Sequence, residues 1–273
     1  MRSIKKVIVE DRETLEIKGL VEVYEEIAAG KMQEIRESIM NARDFFERLA
    51  TLSSEVGADL ETAGLGRTGD VAVFVSAGTG LYGDLIDRIF VGFMDFVQKN
   101  PRIDKVVIGK LGDEMMKFLA KDITYQYYDL VDEEIEAEKL SMLIKDLVRY
   151  KKIYLFYGKF RNIVNQETWT QAISGQVLGE IQGGKVSDKK FLYLYEPGVE
   201  SVAKVFSEEI AGSVFDNTIE ESRLAKYASR LMHLDTALEK INEKLKNLFF
   251  ERIKVAKRVS ERKQLASFAG LLL

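Results

Sequence analysis

The chain has 273 residues, of which 46% are apolar and 31% charged, a composition typical of one or two globular domains with long exposed helices. Its net charge of −4 gives no sign of nucleic-acid binding, and the absence of cysteine excludes disulfides and thiolate metal sites. The single histidine excludes any site that needs two. Because no apolar run reaches the roughly 18 residues of a membrane span, and the apolar residues 7–9 are too few for a signal peptide, we expect a cytoplasmic chain without direct membrane insertion.

The predicted elements alternate along the middle of the chain. Residues 12–56 predict one long helix uninterrupted by proline, and residues from about 199 nearly to the end predict another. Strands and helices that alternate between them indicate a mainly parallel sheet with right-handed crossovers. The predicted strands lie at 71–75, 105–109, 123–128, 153–157, 160–169 and 191–195, and the predicted helices at 84–98, 112–119 and 133–149.

Apolar residues at alternating spacings of three and four form a heptad seam in each terminal helix, which predicts an antiparallel coiled coil. The predicted domains are an N-terminal coiled-coil helix at 1–57, a central Rossmann-like α/β domain at 58–198 and a C-terminal coiled-coil helix at 199–273. A helix over 217–268 would be about 75 Å long, so one end should project beyond the domain. The C-terminal seam consists of Leu224, Tyr227, Leu231, Leu234, Leu238, Ile241, Leu245 and Leu248, and the N-terminal seam of Ala28, Met32, Ile35, Ile39, Ala42, Phe46 and Leu49.

A glycine-rich turn at 78–83 leaves two interpretations open. Gly78, Gly80 and Gly83 form a G-x-G-x-x-G between a predicted strand and a predicted helix, which is typical of dinucleotide-binding turns. Such sites also carry an acidic residue at the end of the second strand, where Gly109 and Lys110 stand here. We therefore favour an ordinary turn of an α/β domain. The alternative is a dinucleotide-dependent enzyme that dimerises through the terminal helices.

The remaining polar groups suggest no catalyst. An acidic cluster (Asp129, Asp132, Glu133, Glu134 and Glu136) is typical of a helix N-terminus, and His233 of a packed or solvated helix position. No nucleophile–base pair can be assembled. Near the C-terminus, a basic stretch is either a solvated helix face or a surface for acidic partner loops. It consists of Lys254, Lys257, Arg258, Arg262 and Lys263.

Five short motifs follow one another along the chain. They are I-A-A-G-K-M at 27–32, G-L-Y-G at 80–83, G-K-F-R-N-I-V-N-Q at 158–166, Y-L-Y-E-P at 193–197 and A-S-R-L-M-H-L-D at 228–235. In order and over about residues 20–270, they resemble the gamma subunit of F-type ATP synthases, whose motifs are V-A-A-S-K-M, G-L-C-G, N-K-F-x-N-x-x-x-Q, Y-L-Y-E-P and A-A-R-M-x-A-M-D. The segments 19–24 and 256–265 depart from the family where its coiled coil contacts the catalytic hexamer.

The resemblance implies a central rotary stalk that is not an enzyme by itself. It transmits torque between a proton- or sodium-driven membrane c-ring and a hexamer of alpha and beta subunits, with an epsilon-type subunit as a further partner. It implies no cofactor on this chain, since the partner subunits bind nucleotide and magnesium, and a peripheral location on the cytoplasmic face of the membrane. The hexamer would be contacted by Lys257, Arg258, Arg262 and Lys263, and the membrane ring by Tyr193, Tyr195 and Glu196.

Overall fold

The computed structural model describes residues 4–56, 69–130, 136–147, 149–174 and 199–270. Within these ranges the elements follow the predicted order, and the mixed α/β class with its mainly parallel sheet is confirmed. The helices are α1 (Ile4–Val56), α2 (Leu85–Lys99), α3 (Lys110–Leu119), α4 (Ala137–Leu147) and α5 (Val199–Gly270). The strands are β1 (Asp70–Val75), β2 (Asp104–Ile108), β3 (Gln126–Tyr128), β4 (Lys152–Phe160) and β5 (Gln166–Ser174).

The sheet has the order β3-β2-β1-β4-β5, in which the first four strands are parallel and β5 is antiparallel to β4. The chain leaves β1 through α2 toward β2 on one side, whereas β4 lies on the other side of β1. The gap between the carboxyl ends of β1 and β4 is therefore a topological switch point, which is where open α/β sheets bind their ligands.

Both faces of the sheet are covered. The side chains of Val71, Val73 and Val75 pack toward α4 and the first half of α5, where Leu143 and Phe215 are buried. The intervening side chains of β1 pack toward α2 and α3 on the opposite face. Burial on both faces explains why β1 is a continuous apolar run rather than an alternating one.

Several predicted bounds are wrong: β4, for example, ends at Phe160 and not at 157, and α4 ends at Leu147 and not at 149. Local hydrogen bonds explain two further differences. β3 is three residues long rather than six, because the Ile123 amide donates a hydrogen bond to the Ala120 carbonyl in a turn. The strand predicted at 160–169 begins only at Gln166, because Asn162 Oδ1 accepts hydrogen bonds from the amides of Val164 and Asn165 and closes a hairpin loop. α1 begins at Ile4, earlier than the predicted residue 12. The predicted strand at 191–195 lies outside the described residues.

The chain divides into two compact units, Met1–Ala29 with Leu231–Leu273, and Gly30–Arg230. In the first unit Val7, Ala28 and Leu248 are buried, and Lys244 Nζ lies 3.2 Å from Glu10 Oε1, so α1 and α5 pack together. In the second unit Ile35 and Ile39 are buried. The predicted boundaries at 57/58 and 198/199 divide the chain differently, into two terminal helices and a central α/β domain. That division stays a prediction.

The heptad seam is buried or half-buried wherever its side chains are described. In the C-terminal helix this holds for every predicted position from Leu224 to Leu248. The side chains of Ala42, Phe46 and Leu49 lie outside the described part of the chain. Among the residues that the structure describes, no helix is both long enough and apolar enough to span a membrane.

Candidate functional site

The glycine-rich turn at 78–83 follows β1 and precedes α2. Leu81 has φ 71° and Gly83 has φ 58°, both in the left-handed region. That conformation costs a residue with a side chain roughly 1–2 kcal/mol, so the contacts of the turn must hold Leu81 there. Tyr82, between them, is 2% exposed and hydrogen-bonds Thr79 at 3.3 Å.

Three side chains from one face of α5 bind this turn. Lys226 Nζ donates to the Ser76 carbonyl at 2.7 Å, and Ser229 Oγ donates to the Tyr82 carbonyl at 2.8 Å. Arg230 donates to Thr79 Oγ1 at 2.7 Å and to the Gly80 carbonyl at 2.9 Å. We call these bonds the α5–turn contact. Its donors are spaced i, i+3 and i+4, which places them on one helix face.

Arg230 is also enclosed by aromatic rings. Its guanidinium carbon lies 4.2 Å from the ring centroid of Tyr82 and 5.4 Å from that of Tyr227. The two rings meet edge to face at 6.4 Å. Cation–π attraction strengthens as water is excluded, and Arg230 is only 6% exposed. The α5–turn contact therefore combines directed hydrogen bonds with a buried cation that lies against two aromatic rings.

The switch point is filled by α5 itself. A Cβ on Gly158 of β4 would lie 3.4 Å from the Ala225 Cβ of α5 and 3.1 Å from Leu85 Cδ2. On the same strand, Tyr157 donates a hydrogen bond to Glu221 of α5 at 3.3 Å. The space in which a dinucleotide would bind in this fold is thus occupied by a helix of the same chain, and the dinucleotide interpretation of the G-x-G-x-x-G is not favoured.

A buried ion pair lies on the same stretch of α5. Arg223 Nη1 is 2.7 Å from Glu220 Oε1, with both side chains about one-tenth exposed. Burial raises the pKa of the Glu220 carboxyl, although the charge of Arg223 opposes the rise. Burial also raises the pKa of Asp216, one turn before Glu220. The part of α5 between these residues and Arg230 is buried on nearly every side. Its charged side chains are therefore surrounded by protein and not by water.

The basic stretch, unlike the buried charged residues described above, is exposed to solvent. Lys257, Arg258, Arg262 and Lys263 are all exposed on α5. Val255 is the last half-buried position, and the described residues from 256 to 267 are exposed, so the seam ends just before most of the basic stretch. Arg252, four residues after the last predicted seam position, Leu248, has its Nη1 3.9 Å from Asp11 Oδ2 of α1. The prediction that these four residues contact a catalytic hexamer stays a prediction.

The other residues singled out from the sequence fall in separate places. Tyr193, Tyr195 and Glu196 lie outside the described residues, as do Asp132, Glu133 and Glu134. Of the acidic cluster, Asp129 accepts a hydrogen bond from Tyr127, and Glu136 pairs with Lys139. His233 is exposed on α5.

The sequence-based reasoning missed Lys226 and Arg230 as functional residues. The sequence predicts only that both residues lie in a long helix, where charged side chains are usually solvated. A signal was present: Arg223, Lys226 and Arg230 recur at spacings of three and four beside the seam, and Arg230 lies inside the motif at 228–235. Their partners lie about 150 residues away in the chain, a separation that no local pattern reports.

Comparison with known proteins agrees with this structure. A model of the ATP synthase family matches residues 3–255. The chain is 24% identical over 266 residues to the ATP synthase gamma chain of Buchnera aphidicola subsp. Diuraphis noxia, covering 91% of this chain and 90% of that protein. It is 21% identical over 262 residues to the ATP synthase gamma chain of Halothermothrix orenii, with the same two coverages.

Solved structures show the same fold. A chain in the rotor of the Euglena gracilis mitochondrial ATP synthase has a TM-score of 0.67 and 14% identity, covering 94% of this chain and 98% of that one. A chain from the central stalk and c-ring structure of the Tetrahymena thermophila mitochondrial ATP synthase has a TM-score of 0.60 and 15% identity, covering 80% and 99%. Because the family model spans nearly the whole length, as the motifs predicted, this chain belongs to the ATP synthase family, and the relatives it resembles are gamma chains.

Proposed function

We propose that this chain is the central rotary stalk, or gamma, subunit of an F-type ATP synthase. It transmits torque between a proton- or sodium-driven c-ring and the catalytic hexamer of alpha and beta subunits. The observation that carries this role is the α5–turn contact, which fixes α5 about its own axis against the α/β domain. A rotating helix needs such a fixed point, because torque applied at one end is otherwise lost as slip.

The energetics of slip support this assignment. Successive residues of an α-helix are about 100° apart, so a slip by one residue would move Lys226 and Arg230 away from their carbonyl acceptors. A buried charge that loses its partners costs roughly 3–5 kcal/mol. Two such cations, with Ser229 between them, give α5 one stable rotational setting on the turn.

The unit of Met1–Ala29 and Leu231–Leu273 presents the surface for the hexamer. Large exposed apolar side chains are rare in monomeric proteins when they are contiguous, and they mark interaction surfaces. Here many lie on two helices that have already buried their seam against each other. An apolar collar of alpha and beta subunits would cover them. At least 40% of the side chain is exposed for Ile8, Val9, Leu15, Ile17, Leu20, Val23, Tyr24, Ile27, Phe249, Phe250, Ile253, Val259 and Leu265.

Charge gives the second hexamer contact. Lys257, Arg258, Arg262 and Lys263 would meet acidic loops of the catalytic subunits, where exposed cations steer association and fix orientation. At the other end of the assembly, Tyr193, Tyr195 and Glu196 would contact the c-ring, with an epsilon-type subunit beside them. Both assignments extend the family membership to individual residues of this chain.

On this account the chain catalyses nothing alone and holds no cofactor. Nucleotide and magnesium bind to the partner subunits, and the complex places the chain at the cytoplasmic face of a membrane. The proposal that this chain itself holds no dinucleotide is supported by the packing of the switch point, where Ala225 lies against the backbone of β4.

The test is co-expression of this chain, carrying an affinity tag, with the alpha and beta subunits of the same organism. We expect a stable complex with one copy of this chain per hexamer, and an ATPase rate that differs from that of the hexamer alone. The same hexamer purified without this chain is the control. A chain that purifies alone, or that leaves the ATPase rate of its hexamer unchanged, would overturn the proposal.

A further inference from the structure

A cleft of about 680 Å³ lies beside β3, away from the α5–turn contact. The cleft is lined by Asp104 at the start of β2, Tyr128 of β3, Asp146 at the end of α4, and Arg149 and Tyr150 in the turn that follows α4. A volume of this size is within the roughly 300–1,000 Å³ of small-molecule sites. The rotary function proposed above does not use this cleft.

The cleft is electrostatically suited to a cation. The carboxylates of Asp104 and Asp146 line it, and α4 ends at Leu147, so the negative end of the helix dipole lies beside them. Among the described lining residues the cation is Arg149, whose side chain is 79% exposed and whose Nη1 is 3.8 Å from Asp146 Oδ1. An ion pair so exposed and so long contributes little and leaves the carboxylate accessible to a ligand.

Tyrosine side chains orient both carboxylates. Tyr128 donates a 2.8 Å hydrogen bond to Asp146 Oδ2, and Tyr150 hydrogen-bonds Asp104. Burial, then the hydrogen bond to Asp146, raises the pKa of Tyr128 to about 12, so its phenol stays a neutral donor at physiological pH. A carboxylate has about four acceptor positions, so each retains capacity for a further donor. Tyrosine rings also attract organic cations that lie over their faces.

We propose that this cleft binds an alkylammonium cation, which pairs with Asp104 and Asp146 and lies against the rings of Tyr128 and Tyr150. Two sources share this chemistry, a free polyamine and a lysine side chain of a partner protein. The ammonium group of such a ligand supplies further donors to the carboxylates, and its alkyl chain would contact the tyrosines that line the cleft.

The test is calorimetric titration of the full-length chain at constant ionic strength with spermidine and with Nα-acetyl-lysine methylamide. We expect saturable binding of at least one of them. A roughly tenfold or greater preference for spermidine identifies a free polyamine, and the opposite preference identifies a partner's lysine. Ring-proton NMR shifts should change at Tyr128 and Tyr150 on addition of the ligand.

Three variants decide whether the binding belongs to the cleft. Asp104→Asn and Asp146→Asn each remove one charge but retain an oxygen acceptor for the tyrosine, and each should weaken binding by roughly tenfold. Asp95→Asn removes the same charge from an exposed position on α2 and should leave binding unchanged. Equal weakening by Asp95→Asn, or the lack of saturable binding of either ligand below about 10 mM, overturns the proposal.

Discussion

Arg230 shows how a single residue fixes the position of a long helix. All its described hydrogen-bond partners belong to the turn at 78–83, and its flat guanidinium fills the space between two tyrosine rings. Both hydrogen bonds are donated by Nη2. Lysine carries the same charge, but its ammonium ends one bond short of the position of Nη2 and it has no planar face. Shape as well as charge therefore determines what this position contributes.

The substitution Arg230→Lys tests this point. We expect a loss of about 2 kcal/mol in the free energy of unfolding, since one buried hydrogen bond to a charged group and the ring stacking are both lost. Urea unfolding followed by circular dichroism measures it. Arg258→Lys, at an exposed position of the same helix, should change stability by less than about 0.5 kcal/mol. Equal effects of the two substitutions would show that Arg230 is not held as described.

Glu220 gives a prediction about pH. Burial raises its pKa above the ordinary value of 4.5 even though Arg223 lies beside it. The folded state therefore binds the proton more tightly than the unfolded chain, and this carboxyl lowers the stability of the fold as the pH rises from 4.5 through the raised pKa. The substitution Glu220→Gln removes that decline.

We therefore expect the free energy of unfolding of Glu220→Gln, relative to the unsubstituted chain, to become more favourable between about pH 5 and about pH 8. Urea titrations at the two pH values measure the difference, and Glu239→Gln, an exposed position on α5, is the control. A relative stability that instead falls with rising pH would mean that the ion pair with Arg223 outweighs the burial of the carboxyl.

At the scale of elements, close packing of α3 on the sheet depends on one glycine. A Cβ on Gly112 would lie 2.6 Å from Ser76 Cβ and 2.9 Å from Val107 Cγ1, distances at which the backbone of α3 must move. A Cβ on Gly92 of α2 would meet nothing within 4 Å. The two positions are both inside helices but differ in what surrounds them.

Gly112→Ala should therefore destabilise the protein by about 2 kcal/mol through overpacking. Gly92→Ala should stabilise it by about 0.5–1 kcal/mol, because alanine loses less backbone entropy in a helix. Thermal unfolding of both variants distinguishes the effects by sign. A stabilising Gly112→Ala would contradict the packing of α3 against Ser76.

The elements themselves were largely predictable from the sequence. β1 and β4 are recognisable because strands buried on both faces are continuous apolar runs, and the long helices because their seam is periodic. β3 was predicted too long, because Ile123 and Tyr125 are apolar but pack from a turn and not from a strand. The prediction misplaces the antiparallel β5, because the Asn162 side chain accepts a hydrogen bond from the Asn165 amide and the Gln166 side chain donates one to the Ile163 carbonyl, and these bonds form a hairpin loop.

At the scale of the whole molecule, the sequence indicates the partner subunits but not the α5–turn contact inside the chain. The family motifs indicated a stalk subunit, and exposed cations such as Arg258 were identified by their spacing. The α5–turn contact was not identified, because it joins the end of β1 to a helix that follows about 150 residues later. Only the folded chain shows that a turn resembling a nucleotide site instead holds a helix.

The basic stretch gives a prediction about assembly. The double substitution Arg258→Glu with Arg262→Glu should weaken the effect of this chain on the ATPase rate of the hexamer, because its charge would then repel acidic partner loops. Lys99→Glu with Lys121→Glu makes the same charge change at exposed positions outside α5 and should retain the effect. A loss of effect in both double variants would point to net charge and not to the basic stretch.

Rotation of the chain inside its complex tests the central claim most directly. The chain has no cysteine, so Val164→Cys, at a side chain that is 74% exposed, gives a unique attachment point for a bead when the partner subunits are also cysteine-free. With the hexamer fixed to a surface, we predict steady rotation of the bead in one direction when ATP is added, and arrest when ATP is removed. An assembled complex that hydrolyses ATP while the bead shows no net rotation would contradict the account.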